Sequence, residues 1–460
     1  MNVSTDASPP GQWTADELMH GKAGEEFSTL ASPTPNGSAT TSGSPKKSGR
    51  FSMRSMKTSG KKSTDPLDWG MPGHLTQEEV DVFMKFRDEV ERRGGEFKNT
   101  VYSFSLIEGE AYCLGRWLRA RKFVYDDVIA MVEEATEVRA DARKHDFYPD
   151  PVSALGCGPS LFMHCYPQLY PGKAKNGCPI FISKPGVLNT DAMECITSLD
   201  GILKFHWHVM MHDYKKRLMD HKKAHPDFCN FQTVTVIDLE HLSTSQLSKR
   251  ALSIVKTQTA IDSVCFPEIM NKTLVINAPR FFSMTWSIIK GWIDPRTASK
   301  IELISSRKSW EARLKDLCDE DEIPSDYGGK GPPTTNALEK EYSPEGVMQE
   351  HFQLVHVGSS GHYNVEVPAG GEMEVTLWSR SVNEVIVSIV DQNIKSKVYV
   401  GGVSFTHTGG TSDNDKPTSL LLTKERIAGP AKLKVKFESK AGRFASAGNY
   451  FVSCAVFGKK

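Results

Sequence analysis

The chain has 460 residues, and its 56 lysine and arginine side chains balance 56 aspartate and glutamate side chains. This length exceeds what one hydrophobic core normally serves, so two or three domains are expected. No run approaches the ~20 apolar residues that cross a bilayer and the first residues carry no secretion signal, so we expect a cytoplasmic protein. The nine cysteines include no Cys-x-x-Cys pair, which predicts reduced thiols rather than a zinc site or a disulfide framework.

Residues 1–65 are rich in serine, threonine, glycine, proline and lysine, and we predict a disordered tail because they offer little apolar surface to bury. Within this tail, residues 44–63 hold seven basic side chains and no acidic one, interleaved with serines. The stretch is either a solvated tail or a tether to anionic membranes that phosphorylation of the serines would release.

Helical patterns occupy residues 66–148. Thr76 and Glu79 form a capping box at the start of the first helix, and Gly94 ends it. Apolar residues at helical spacing predict two more helices, around residues 111–118 and 128–138. We therefore predict a small helical subdomain over 66–148.

The remaining chain divides into an α/β part and an all-β part. Runs of β-branched residues at 180–183, 233–239, 273–276 and 301–305 alternate with helical stretches, as in a domain with a largely parallel sheet. We place this α/β domain at 149–331 and a linker rich in glycine and proline at 332–347. From 348 to 460 the apolar period changes to two, which predicts an all-β sandwich.

Signatures of catalysis are missing from the sequence. It contains no phosphate-binding glycine loop, nucleophile elbow or zinc-protease motif. His206, His208 and His212 are candidate metal ligands, but no suitably placed carboxylate or cysteine completes a set, so we predict ordinary histidines. We expect neither enzymatic activity, nor a cofactor or metal, nor nucleic-acid binding.

Residues 279–300 carry more apolar surface than a helix packed on one side requires. Apolar side chains cover roughly 200° of the circumference, against the ~100° stripe that one core needs. Either the helix is buried on two sides, or it lines a ligand cavity and meets a membrane, with hinges at the Lys290–Gly291 and Asp294–Pro295 interruptions. The apolar positions are Phe281, Phe282, Met284, Trp286, Ile288, Ile289, Trp292 and Ile293.

Ordered motifs in the chain resemble those of the CRAL-TRIO lipid-binding proteins, in particular the phosphatidylinositol transfer proteins. The C-terminal strands resemble a GOLD domain, and the combination is similar to the plant patellins and the animal supernatant protein factor. The resemblance implies a pocket for one lipid, closed by a mobile helix at residues 281–293, with Phe181 also in the pocket. The motifs are LGRWLRARKF at 114–123, YPQLY at 166–170, DL at 238–239, INAP at 276–279, DPRTASKI at 294–301 and YGG at 327–329.

The resemblance also implies residues that hold an inositol phosphate. Arg121, Lys122, Thr297 and Lys300 stand at the corresponding positions. Glu268 matches as well, as a partner of Lys122 or Lys300 when no inositol is bound. Cationic and hydroxyl donors suit this task because a partly buried phosphodiester needs such partners.

A second headgroup site is implied less completely. Thr233 and Thr235 match hydroxyls that contact choline lipid, and their presence argues against the haem-binding branch of the family. The family's tyrosine is Phe181 here, and an arginine of the family is Ile269. We therefore expect phosphatidylinositol as the ligand, with phosphatidylcholine as the less supported second one.

Lysines alternate with apolar residues near the C-terminus. Lys432, Lys434 and Lys436 would form a row on one face of a strand. The row either protects the sheet or docks on acidic lipid headgroups or a partner protein.

We thus expect a non-enzymatic protein that binds and transfers phospholipid and associates peripherally with anionic membranes. Two alternatives stay open. One is a carrier of another lipophile, such as sterol, squalene or tocopherol. The other is a trafficking scaffold that senses membranes and binds proteins through its GOLD-like domain.

Overall fold

The computed structural model describes residues 12–22, 69–291, 293, 295–356, 358–379, 384–404, 418–421, 426–440 and 449–458. These residues form two compact units. The first runs up to Thr136 and includes Pro226–Phe231, and the second comprises Glu137–His225 and the residues from Gln232 onward.

The first unit is helical, while residues 137–148 of the predicted helical subdomain belong to the second unit. Thr76 caps the helix that begins at Gln77: the Glu79 amide donates to the Thr76 hydroxyl at 3.2 Å, and the Thr76 amide donates to the Glu79 carboxylate at 2.8 Å. Gly94 ends this helix, as predicted. The helices are α1 (Ala15–His20), α2 (Gln77–Arg93), α3 (Gly95–Val101), α4 (Ser105–Glu108), α5 (Glu110–Ala120) and α6 (Tyr125–Val138).

The prediction that all of residues 1–65 are disordered is wrong for residues 12–22. Thr14 and Glu17 form a second capping box, which starts α1. Trp13 and Leu18 are buried, and the Arg87 guanidinium donates to the Trp13 carbonyl at 2.9 Å. Two buried apolar side chains and the hydrogen bond from Arg87 therefore anchor this short helix. The basic stretch 44–63 lies outside the described residues.

The second unit contains a five-stranded sheet in the order β1-β2-β3-β4-β5. The β1 edge strand runs antiparallel to β2, and the β2-β3, β3-β4 and β4-β5 pairs are parallel. The prediction of a largely parallel sheet is confirmed. The strands are β1 (Gln168–Lys173), β2 (Pro179–Ser183), β3 (Thr233–Asp238), β4 (Met270–Ile276) and β5 (Ile301–Ile304).

Eleven helices surround or connect these strands within the described residues. A π-helical segment, Val209–Tyr214, joins two of them into one longer rod. The helices are α7 (Ala140–Lys144), α8 (Pro151–Leu155), α9 (Pro159–Cys165), α10 (Thr190–Ile196), α11 (Leu199–His208), α12 (Lys215–Ala224), α13 (Lys249–Cys265), α14 (Phe282–Lys290), α15 (Pro295–Ser299), α16 (Arg307–Leu317) and α17 (Thr334–Tyr342). None of the helices in the described ranges is long and apolar enough to span a bilayer.

One face of the sheet, which we call the sealed face, is fully buried. It carries Ile182, Val236 and Leu274, and Trp310 and Leu314 of α16 pack on it. β-branched side chains pack well on such a buried sheet surface, which is why their runs predicted these strands.

A polar network closes the carboxyl ends of β3 and β4. The buried Asp238 carboxylate accepts from the Tyr327 hydroxyl at 2.6 Å and from the Asn277 amide at 2.9 Å. The Trp310 indole donates to Asn277 at 3.2 Å, and Asn277 adopts a φ of 55°, which asparagine tolerates better than most residues. Three of the sequence motifs therefore meet here and serve to anchor the chain just before α14.

The C-terminal part of the second unit forms two antiparallel sheets that share one hydrophobic core. The strand orders are β10-β9-β13-β7 and β11-β8-β14-β6, with β12 beside β8. The strands are β6 (Val347–His356), β7 (Ser360–Val367), β8 (Glu372–Ser379), β9 (Glu384–Asp391), β10 (Ser396–Ser404), β11 (Thr418–Leu421), β12 (Ile427–Ala428), β13 (Ala431–Lys440) and β14 (Asn449–Phe457).

The segment 332–347, predicted as a linker, contains α17. Its Leu338 and Tyr342 pack on a core cluster built by α9 and α10 together with Trp378 of β8 and Phe451 of β14. The linker prediction fails because glycine and proline flank this helix rather than interrupt it. The all-β part consequently shares a core with the α/β part.

Glu350 lies where these two parts meet. Its carboxylate accepts from the Ser160 hydroxyl at 3.1 Å and from the Ser343 hydroxyl at 3.4 Å. Burial raises the pKa of Glu350 above its usual 4.5, and the serine hydrogen bonds offset only part of this effect. Nearby, burial lowers the pKa of His164, whose ring lies 4.6 Å from that of Phe352.

These shifts predict a pH dependence of stability. A carboxyl whose pKa is raised by folding stabilises the folded state below about pH 4.5, and this contribution is lost as the pH rises through the folded-state pKa. We expect Glu350→Gln to unfold at a higher temperature than the parent at neutral pH, because no charge is then buried. Thermal unfolding followed between about pH 4 and pH 8 measures this.

The exposed Glu134 of α6 provides the matched control, since Glu134→Gln removes a carboxylate that does not act on Glu350 and should leave the profile unchanged. His164 has a lowered pKa in the folded protein, so its protonation at acid pH favours unfolding. This loss of stability should persist in Glu350→Gln. A Glu350→Gln profile that parallels the parent's at every pH would contradict the assignment.

Candidate functional site

The second face of the parallel sheet, which we call the open face, is covered less completely than the sealed face. In the sheet register, Phe181, Thr235, Thr273 and Ile301 stand side by side on four strands. Phe181, Thr235 and Ile301 are half-buried, in contrast to the sealed face. A half-buried apolar face inside a domain provides room for an apolar ligand.

Three threonines on this part of the sheet differ in how their hydroxyls are used. The Thr233 hydroxyl donates to the Pro179 carbonyl at 3.0 Å and so helps to join β3 to β2. Thr235 stands two residues further on, on the open face. The Thr273 side chain is only 4% exposed, yet its hydroxyl has no hydrogen-bond partner among the described residues.

The sequence interpretation missed Thr273. An unpaired buried hydroxyl costs about 1–3 kcal/mol, so its presence needs a reason such as a ligand. The available signal was the strand register, which places residue 273 beside Thr235.

Helix α14 lies over the open face. Phe282, Trp286 and Ile289 pack against β3, β4 and β5 together with Phe281. On the other side of the same helix, Met284 is 77% exposed and Ile288 is 57% exposed, one turn apart. Both predicted features of this segment are therefore present, an apolar side against the domain and a second apolar side toward solvent.

The helix is interrupted where the sequence predicted hinges. It ends at Lys290, and α15 begins at Pro295. Ile293 is half-buried, whereas Trp292, which was predicted to belong to the same apolar surface, lies outside the described residues.

Lys300 and Glu268 form the electrostatic centre of this side of the sheet. The ammonium of Lys300 lies 3.2 Å from the Glu268 carboxylate and donates to the Met270 carbonyl at 3.0 Å. Lys122 and Lys300 were the two partners predicted for Glu268, and the structure shows the pair with Lys300. Thr297 is half-buried on α15, and its carbonyl accepts from the Lys300 amide at 3.0 Å.

Arg121 and Lys122 belong to the first unit. They follow α5, in which Arg116 is buried against the Glu108 carboxylate at 3.1 Å, so the first part of the basic run stabilises the fold. Arg121 is half-buried and Lys122 exposed, and neither forms an ion pair with any residue that the structure describes. Both cations are thus available to an anionic ligand, and their joint role with Thr297 and Lys300 stays a prediction.

The three histidines do not assemble a metal site. His206 lies 2.7 Å from the Asp262 carboxylate, and His208 and His212 bind the backbone carbonyls of Tyr148 and Asp146, each at 2.7 Å. Asp213 belongs to the π-helical segment and lies 3.5 Å from His208. Across the described ranges no cluster of three or more potential metal ligands occurs.

A separate cavity of about 240 Å³ opens between α10, α11 and α13. Met193, Ile202 and Ile254 line it together with Glu194 and Lys249. None of the residues predicted for the headgroup or the gate lies in it, and its volume is below the ~300–1,000 Å³ of typical ligand pockets.

Comparisons with known proteins bear on the α/β part. Residues 163–329 match the CRAL/TRIO domain family. The chain is 26% identical over 256 residues to the phosphatidylinositol/phosphatidylcholine transfer protein SFH9 of Arabidopsis thaliana, a match covering 54% of this chain and 42% of that protein. It is 29% identical over 269 residues to the SEC14 cytosolic factor of Candida glabrata, covering 57% of this chain and 81% of that protein.

The chain spans about two fifths of the length of the Arabidopsis relatives. Among solved structures, the crystal structure of Sfh5 aligns with a TM-score of 0.42 and 16% identity, over 59% of this chain and 92% of that one.

The unpaired hydroxyl of Thr273 leads to a testable contrast. We expect Thr273→Val to raise the free energy of unfolding of the lipid-stripped protein by about 1 kcal/mol, because the methyl group removes an unsatisfied polar group. The same variant should retain less lipid on purification if the hydroxyl serves a ligand. Thermal unfolding and lipid quantification measure the two effects.

Thr233→Val is the matched control on the neighbouring strand. It loses the hydrogen bond to Pro179 and should be destabilised by about 1 kcal/mol. If both variants lose stability equally, Thr273 has a partner within the protein and the interpretation fails.

Proposed function

We propose that this chain, in which residues 163–329 form a CRAL/TRIO domain, binds one phospholipid at a time, phosphatidylinositol foremost, and carries or presents it between membranes. The similarity to Arabidopsis proteins named as phosphatidylinositol/phosphatidylcholine transfer proteins supports this. Phosphatidylcholine is the second proposed ligand. We propose carriage rather than catalysis.

The observation that carries the proposal is the two-sided apolar surface of α14. Burying Met284 and Ile288 requires an apolar partner outside the domain, and a membrane supplies one. The other side of the helix covers the open face, where the acyl chains would lie. A helix in this place, with its hinges after the carboxyl end, can open on a membrane and close in solution.

The energetics of acyl chains call for such an enclosure. Two chains with ~30 methylenes, at ~0.8 kcal/mol each, amount to roughly 25 kcal/mol of apolar transfer free energy. A carrier must match most of this by burying the chains. The half-buried Phe181 and Ile301 of the open face, and the side of α14 with Phe282, Trp286 and Ile289, offer the matching apolar surface.

In the proposed phosphate site, Lys300 exchanges one anionic partner for another. In the absence of lipid its charge is balanced by Glu268 at 3.2 Å. An inositol phosphate would compete for the same ammonium, with Thr297 as hydroxyl donor and Arg121 and Lys122 as the further cations that the resemblance implies. The Lys300 ammonium would then be paired with an anion both with and without lipid. This pairing avoids the large free-energy cost of an unpaired buried charge.

A carrier of a different lipophile is the second candidate, and Thr273 favours it. A single buried hydroxyl beside Thr235 suits the lone oxygen of a sterol or prenyl lipid as well as a glycerol ester. Mass spectrometry of lipid extracted from the purified chain separates the candidates, because phosphatidylinositol is expected and a neutral lipid alone would reject the phosphate site.

The proposal extends to the C-terminal domain and to location. We propose that the two C-terminal sheets form a GOLD-like domain, consistent with their common core, and that the protein works in the cytoplasm and on membrane surfaces. A scaffold that binds proteins through this domain would keep membrane binding but show no lipid transfer.

Lys300 provides the sharpest test of the phosphate site. We expect Glu268→Gln/Lys300→Ala to lower phosphatidylinositol transfer between vesicles at least about tenfold, because one charge-assisted contact to the phosphate is lost. Removing both partners avoids leaving a buried carboxylate unpaired. Glu268→Gln alone should bind phosphatidylinositol more tightly than the parent, since it frees Lys300.

The exposed Lys308 of α16 gives the control variant Lys308→Ala, which should transfer normally. Unchanged phosphatidylinositol transfer by a folded Glu268→Gln/Lys300→Ala protein would reject Lys300 as a phosphate contact.

The exposed side of α14 is tested separately. We expect Met284→Ser/Ile288→Ser to lower the rate of lipid exchange with vesicles several-fold while changing the free energy of unfolding by less than about 0.5 kcal/mol, because both side chains are solvent-exposed. Transfer kinetics and thermal unfolding measure the two. Leu106→Ser, at an exposed apolar position on α4, should affect neither; equal losses in both variants would remove α14 from the mechanism.

A further inference from the structure

The β9–β10 hairpin and the neighbouring strand β13 carry a surface that the lipid site does not use. Lys432, Lys434 and Lys436 alternate with the buried Leu433 and Val435, as the sequence predicted. Strand register places Lys434 opposite Val390 and Lys436 opposite Ser388, on the solvent side of the sheet. Successive lysines on this side are about 7 Å apart, since a strand rises about 3.4 Å per residue.

The hairpin beside these lysines exposes apolar side chains between cationic ones. At its tip Ile394 is 67% exposed and is followed by Lys395, which adopts a φ of 56°. Along β10, Val400 is 57% exposed and pairs with Ser388, so it lies in the same row as Lys436. Lys397 pairs with Val390 and extends the row of Lys434.

The positive charge is only partly balanced within this surface. Of the row on β13, Lys432 approaches Glu366 at 3.9 Å, and both side chains are mostly exposed. Lys434, Lys436, Lys395 and Lys397 form no ion pair with any residue in the described ranges. The exposed Lys432–Glu366 pair is weak, so it would not prevent a stronger anionic partner from binding.

We propose that this surface, formed by the hairpin tip and the three lysines of β13, docks on an anionic lipid bilayer with Ile394 inserted among the headgroups. A bilayer provides both anionic phosphates for lysines and an apolar interior for Ile394 and Val400. An acidic protein or a nucleic acid could bind the lysines through its negative charges, but neither offers an apolar interior that would bury the exposed isoleucine at the tip of the hairpin. The surface is independent of the lipid site, and it gives the C-terminal domain a membrane contact of its own.

Binding of the full chain to vesicles tests the proposal. Phosphatidylcholine vesicles with and without phosphatidylserine are compared by sedimentation at low and high salt. We expect Lys434→Glu/Lys436→Glu to weaken phosphatidylserine-dependent binding at least about tenfold, since each lysine near an anionic surface contributes roughly a fivefold effect that reversal more than removes. Ile394→Asp should also weaken it, whereas its effect should be small on vesicles of phosphatidylcholine alone.

Insertion is measured directly with Ile394→Trp. After subtraction of the emission that the eight native tryptophans of the parent give with the same vesicles, the added tryptophan should shift to the blue with phosphatidylserine vesicles and not with phosphatidylcholine vesicles. Should charge reversal disturb folding, Lys434→Gln/Lys436→Gln gives the same test with a smaller change.

The control variant is Lys308→Glu/Lys340→Glu, at exposed positions on α16 and α17. It changes the net charge by the same amount as Lys434→Glu/Lys436→Glu and should bind vesicles like the parent. Lipid co-purifying with Lys434→Glu/Lys436→Glu should be unchanged, which separates this surface from the lipid site. Parental vesicle binding by Lys434→Glu/Lys436→Glu, or an unshifted emission of Ile394→Trp, would overturn the proposal and leave an acidic protein as the partner for the lysines.

Discussion

The α/β domain depends on the unequal covering of its parallel sheet. A parallel sheet is normally buried on both faces, because its crossover helices pack there. Here α16 seals one face, while the other is covered across β3 to β5 by the nine-residue α14, which is interrupted at its carboxyl end. Apolar contacts hold α14 against the sheet through Phe282, Trp286 and Ile289. Since hydrophobic contacts are non-directional, an acyl chain can replace them at little net cost, which a polar latch would not allow.

Electrostatics impose the complementary constraint. Lys300 and Glu268 are mostly buried, so neither charge tolerates the loss of its partner without replacement. Glu268 also holds a φ of 61°, a conformation rare outside glycine and typical of positions where the surroundings over-determine the backbone. By contrast, the network of Asp238, Asn277 and Tyr327 fixes the start of the segment that leads into α14. The domain thus combines a polar anchor, a mostly buried ion pair and a cover that packs on the sheet through apolar side chains.

Much of this arrangement could be predicted from the sequence because its signals are local. The helix that begins after Thr76 follows from a capping box, and β3 follows from a β-branched run that is buried on a sealed face. The parts that were missed depend on tertiary contacts. Helix α1 needs the guanidinium of Arg87, α17 needs a core contributed by distant strands, and β1 contains Pro171, which argues against a strand unless it lies at an edge. Likewise, the unpaired hydroxyl of Thr273 becomes visible only once the register of the sheet is known.

The shared core between the α/β part and the two C-terminal sheets changes how the chain can be divided. Phe451 and Trp378 cover α9 and α10, so removal of the C-terminal strands would expose apolar surface on the α/β part rather than release an independent module. Helix α10 is the element that contacts both sides: it touches β14 and β8, and its Met193 lines the cavity next to α11. Any rearrangement of that cavity must therefore be accommodated by the packing of α10 against the sheets. Because close-packed interiors transmit such displacements, a change in the shape of that cavity is expected to reach β8 and β14 through α10.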